Sequence, residues 1–68
     1  MDIRQRIARN IKAARVANGW SQEELAEQSG LHRTYISGLE RGIRNPTITV
    51  VDKLAAALKL AAGQLLDS

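Results

Sequence analysis

The sequence predicts an all-α fold, a compact set of five short helices, and three observations carry that reading. Helix-favouring Ala, Leu, Gln, Glu, Lys and Arg dominate its 68 residues. Pro46 is the only proline, and no stretch reads as a strand hairpin. Apolar residues recur at three- and four-residue intervals, separated by short runs of cap and turn residues.

The first helix is expected from about Ile3 to Ala17, with Ile3, Ile7, Ile11 and Ala14 as its inward stripe. Asn18-Gly19 ends it, since both residue types tolerate the left-handed cap conformation. The second starts after Ser21, where Ser21-Gln22-Glu23-Glu24 reads as a capping box, a hydroxyl cap with a glutamate three residues on. Leu25, Ala26 and Ser29 face inward and Gly30 stops it. The third begins near His32 or Arg33 and ends before Gly42; its inward residues are Leu39 with Ile36, or with Tyr35 in its place. Gly42 to Pro46 is a loop. Thr47 caps the fourth helix, whose apolar side carries Val50, Val51, Leu54, Ala55 and Leu58. A short fifth spans Ala62 to Leu66, and its start lacks a good capping residue.

Composition narrows the function. Residues 1–68 make one domain, large enough for a modest core and too small for an enclosed catalytic cleft. There is no cysteine and one histidine, so no disulfide, thiolate or histidine-cluster metal site is expected. No catalytic residue emerges, because no nucleophile has an acid and base at workable spacing. No cofactor or small-molecule ligand is indicated. Apolar stretches fall far short of a membrane span and no signal peptide is visible, so a soluble cytoplasmic protein associated with the nucleoid is expected. The net charge of +3 is unremarkable, but its distribution is segregated. Arg4, Arg6, Arg9, Lys12 and Arg15 lie in the first helix, Glu23, Glu24 and Glu27 in the second, and Arg33, Arg41 and Arg44 around the third. Segregation of this kind fits one face meeting phosphates.

The informative stretch runs from Gln22 to Gly42, a helix-turn-helix over about residues 21–42. Ala26 is small where two helices cross, Gly30 supplies the turn, and Ile36 and Leu39 close the core beneath the second helix. That helix presents Arg33, Thr34, Ser37 and Arg41 outward, proud of the surface, where it fits a DNA major groove.

Here the chain resembles the XRE family of lambda-repressor-like helix-turn-helix proteins. Trp20-Ser21-Gln22-Glu23-Glu24-Leu25-Ala26 matches the family's "lSQeeLA", and Ile36 to Gly42 its "iSriErG". Asn45-Pro46-Thr47 matches its "xPs" loop and Leu54 to Leu58 its "lakaL". The match covers nearly the whole chain in order. His32 to Arg41, followed by Arg44-Asn45, is similar to the controller proteins of restriction–modification systems. The resemblance implies a regulator of transcription that binds double-stranded DNA, working as a homodimer on a palindromic operator with the third helix in the major groove. An antitoxin-type interaction module and a phage-type repressor are the alternatives.

Arg33 opens the recognition helix, and its guanidinium can contact guanine O6 and N7 together, worth about 1–3 kcal/mol of discrimination. Thr34 and Ser37 join it as base readers. Tyr35 has two readings: the controller resemblance implies a DNA contact, whereas aromatic rings on short helices commonly pack on the core. The resemblance implies phosphate contacts for Gln22, Arg41, Arg44 and Asn45. His32 is either a further phosphate contact or a helix-start residue. Gly38 costs its helix about 0.5–1 kcal/mol relative to Ala and would permit close approach to DNA. The family implies that Glu40 forms a partly buried ion pair with Arg15. Ile48, Leu60, Leu65 and Leu66 are the candidate dimer interface, with core packing the alternative for the set and the better reading for Leu65.

Overall fold

A first helical turn leaves backbone N–H groups unpaired, and a side chain answers them at the start of each helix. In the computed structural model, which describes residues 2–66, the helices are α1 (Ile3–Ala17), α2 (Gln22–Ser29), α3 (Arg33–Glu40), α4 (Ile48–Leu58) and α5 (Ala62–Leu66). There is no strand among the described residues. The Asp2 carboxylate accepts from the Arg4 N–H at 2.7 Å, and its hydrogen bonds to Arg4 hold its pKa below the ordinary value. Ser21 Oγ accepts from the Glu24 N–H at 3.1 Å and Thr47 Oγ1 from the Val50 N–H at 3.2 Å. Only half of the capping box forms. The Glu24 carboxylate turns along the helix to the Gln28 amide, at 2.8 Å, instead of reaching back to the cap. α5 shows the opposite half: Gln64 Oε1 accepts from the Ala61 N–H at 2.8 Å, so the cap comes from inside the helix.

One apolar core joins all five helices. α1 packs on α3 and α5, α2 on α3 and α4, and α4 on α5. Ile11, Leu25, Ile36, Leu39, Leu54 and Leu65 are its fully buried side chains. Two expectations are corrected here. Ile3 is 44% exposed, because it borders an open groove between α1, α4 and α5; Ala8 is the buried residue beside Ile7 and Ile11. Leu65 is 1% exposed and belongs to the core, which removes it from any surface that a second copy could touch. Leu60 packs partly buried against the same core, while Leu66 and Ile48 are 41% and 82% exposed. α5 is tied down from α1: Asn10 Nδ2 donates to the Leu65 carbonyl at 2.9 Å and Arg6 Nη1 to the Leu66 carbonyl at 3.4 Å. No helix among the described residues is long and apolar enough to cross a membrane.

Candidate nucleic-acid interface

The turn between α2 and α3 is short, residues 30–32 alone. Gly30 sits at φ +75°, a conformation that costs a side-chain-bearing residue, and both its N–H and that of Leu31 donate to the Ala26 carbonyl, at 2.9 and 3.1 Å. α3 restarts at Arg33 under a cap from His32, whose Nδ1 accepts from the Thr34 N–H at 3.1 Å. Ile36 and Leu39 are buried beneath α3. Arg33 and Thr34 are exposed on its first turn, and Ser37 is half-buried one turn later.

A buried polar network locks the two helices together. Arg15 meets Glu40 through two hydrogen bonds, Nε to Oε2 at 2.6 Å and Nη2 to Oε1 at 3.0 Å. Its Nη1 donates to the Trp20 carbonyl at 2.8 Å, and Gln22 Nε2 donates to Glu40 Oε1 at 3.2 Å. The side chains of Arg15 and Glu40 are 12% and 4% exposed. The hydrogen bond to Glu40 raises the Arg15 pKa above its ordinary value, against a smaller opposing effect of burial. One network therefore joins α1, the turn before α2, the first residue of α2 and the last of α3. It also neutralises the single acid of α3, so that helix presents only cationic and neutral groups.

The contact of Gln22 with Glu40 was not anticipated from the sequence. It fixes the side chain at the amino end of α2, where backbone N–H groups favour an anion. Arg41 and Asn45 are exposed after α3. Arg44 lies across α3, with its guanidinium carbon 5.8 Å from the centroid of the Tyr35 ring. Tyr35 is partly buried against the core, so its ring bridges core and surface. Gly38 is buried, and a Cβ built on it would meet Arg44 Cγ at 2.8 Å. The space at Gly38 is therefore filled by Arg44, which corrects the expectation that it stays open for close approach by DNA.

This geometry, two short helices around a glycine turn, agrees with a helix-turn-helix family model over residues 11–65. The chain belongs to that family. It carries a DNA-binding regulator domain of the XRE type. It is 52% identical to a hypothetical transcription factor of Neisseria meningitidis over 65 residues, 96% of this chain and 61% of that protein. It is 48% identical to the control protein C.SmaI of Serratia marcescens over 66 residues, 97% of this chain and 79% of that protein. Thus it spans under two thirds of the Neisseria protein. Among solved structures, the restriction–modification controller protein C.AhdI from Aeromonas hydrophila superposes with a TM-score of 0.88 at 40% identity, covering 91% of this chain and 94% of that one.

Proposed function

We propose that the chain regulates transcription as a homodimer on a palindromic operator, with α3 in the major groove, and that it serves as a restriction–modification controller. The observation that carries this is the outward face of α3. Arg33 and Thr34 are exposed at its leading end, and the acid at its trailing end is neutralised by Arg15. In this reading Arg33, Thr34, Tyr35 and Ser37 read base edges. Gln22, His32, Arg41, Arg44 and Asn45 hold phosphates on either side.

Likeness to C.SmaI and C.AhdI supports the controller role. For the dimer, an open groove of about 230 Å³ runs between α1, α4 and α5, lined by Ile3, Ile7, Pro46, Ile48, Val51 and Leu66. A second copy would cover this groove, with Ile3 taking the place of Leu65 beside Ile48, Leu66 and the edge of Leu60.

An electrophoretic shift on the DNA upstream of the chain's own gene tests the proposal. Binding that weakens steeply with salt and is competed by that DNA, not by random duplex, is the expected result. Absence of salt-sensitive binding overturns it. Neighbouring methyltransferase and nuclease genes are expected for a controller, and a neighbouring toxin gene counts against that role.

A further inference from the structure

We propose that Gly38 is a positioning residue for Arg44: its missing side chain lets a loop arginine lie along α3 and rest on Tyr35, adding a guanidinium in a fixed place to the face that meets DNA. The inference rests on the reading of that face given above. Gly38 is an unfavourable choice in the middle of an eight-residue helix, where Ala would form the helix better. Its use there needs a reason, and the surroundings supply one. Apart from its chain neighbours and the backbone of its own helix, the three atoms nearest a Cβ built on Gly38 all belong to Arg44: Cγ at 2.8 Å, Nε at 3.3 Å and Cδ at 3.6 Å.

A Cβ at 2.8 Å from Cγ cannot be absorbed by movement of the guanidinium alone. It turns the whole Arg44 side chain out of its path. Gly38 lies one helical turn after Tyr35, so the side chain that crosses at Gly38 arrives over the Tyr35 ring. The ring itself is held by the core, so it offers a stationary platform. Arg44 is otherwise an exposed residue on the loop after α3, with several rotatable bonds. Laying it in the Gly38 slot and against an aromatic face removes much of that freedom before DNA arrives.

The test compares G38A, R44A and the double variant in the full chain, by anisotropy titration on the upstream duplex that the parent binds. G38A is expected to melt no lower than the parent, since Ala favours the helix. It is expected to bind about 2–5-fold more weakly, the equivalent of about 0.5–1 kcal/mol for an exposed cation–aromatic contact. In the R44A background the same substitution is expected to change nothing further. Binding of G38A equal to the parent overturns the proposal. So does an equal loss with and without Arg44, which would mean that the added methyl obstructs DNA itself. If the parent fails to bind the duplex, the reading of the face has failed, and the free protein still tests the slot. There the Arg44 side-chain protons should show an upfield ring-current shift in the parent and lose it in G38A. An unshifted Arg44 in the parent overturns the proposal without any DNA.

Discussion

Removing the Arg15 guanidinium would leave the Glu40 carboxylate, 4% exposed, facing only the Gln22 amide. A buried charge stripped of its partner is costly, so Arg15→Ala is expected to lower stability by about 3–5 kcal/mol in urea unfolding. Removing both partners should cost less than the sum of the two single changes, and a double-mutant cycle without coupling would refute the interdependence. Because the Arg15 pKa is raised in the folded state, its contribution is present at all lower pH and is lost only as pH rises through that value. The pair's arginine side is therefore indifferent to pH across the neutral range. The same network holds Gln22, so Glu40→Ala should also weaken DNA binding in protein that remains folded. Exposed Arg33 and Arg44 should behave differently from each other. Arg33→Ala is expected to relax preference at one base pair per half-site by about 1–3 kcal/mol. Arg44→Ala should weaken binding to all sequences alike and flatten the slope of log affinity against log salt by about one. A selection experiment on randomised operators, repeated across a salt series, separates the two. Uniform loss for Arg33→Ala would remove it from the base readers.

The ends of the helices are where the sequence is most legible, because caps are local chemistry. Ser21, Gly30 and Thr47 act within four residues of themselves, and the boundaries of α2 and α4 follow. Legibility fails where a residue's role depends on a distant element. Periodicity gives the angle of Ile3 around α1 but not how far the neighbouring helices extend, so its exposure was hidden. Composition counts apolar residues at the end of the chain but cannot divide them between core and surface, so Leu65 stood as a candidate for both until its burial decided for the core. The slot at Gly38 depends on a loop side chain six residues away. The proximity of Arg15 and Glu40, 25 residues apart, was accessible through family resemblance and not through spacing. One local feature does break a pattern. Four helices end with the same backbone bond, donated by Trp20, Leu31, Ile43 and Leu60 to the carbonyls of Arg15, Ala26, Gly38 and Ala55. In the first three the left-handed residue is glycine, whereas at the end of α4 it is Lys59, at φ 58°. A side chain there costs about 1–2 kcal/mol, of which glycine's extra freedom in the unfolded chain would return about 0.5–1. Lys59→Gly is therefore expected to stabilise the protein by about 0.5–1 kcal/mol, a rise in melting temperature of about 2–8 °C for a domain of this size. A lower melting temperature would show that the lysine makes a compensating contact.

At the scale of the whole molecule, size bears on the proposed dimer and its palindrome. The chain measures 27 × 22 × 21 Å, while successive major-groove faces of DNA on one side lie about 34 Å apart. One copy can therefore present α3 to one groove segment only, and a palindrome needs a second. Net charge is a weak guide to the partner, because +3 is common; the arrangement of charge around α3 is the more informative feature. The proposed dimer face is separable from the fold, because Ile48 is 82% exposed and supports none of the core. Ile48→Asp should leave the unfolding free energy within about 0.5 kcal/mol of the parent, as exposed substitutions do. In a dimer it would place two like charges in an apolar seam beside Asp52, which also lines the groove. Sedimentation should then show a monomer at concentrations where the parent is dimeric. Binding to a full palindrome should lose its cooperativity and fall towards that for an isolated half-site. If the variant sediments and binds like the parent, copies of the chain associate through another face. If the parent itself remains a monomer at high concentration and on DNA, the palindrome reading falls with the dimer.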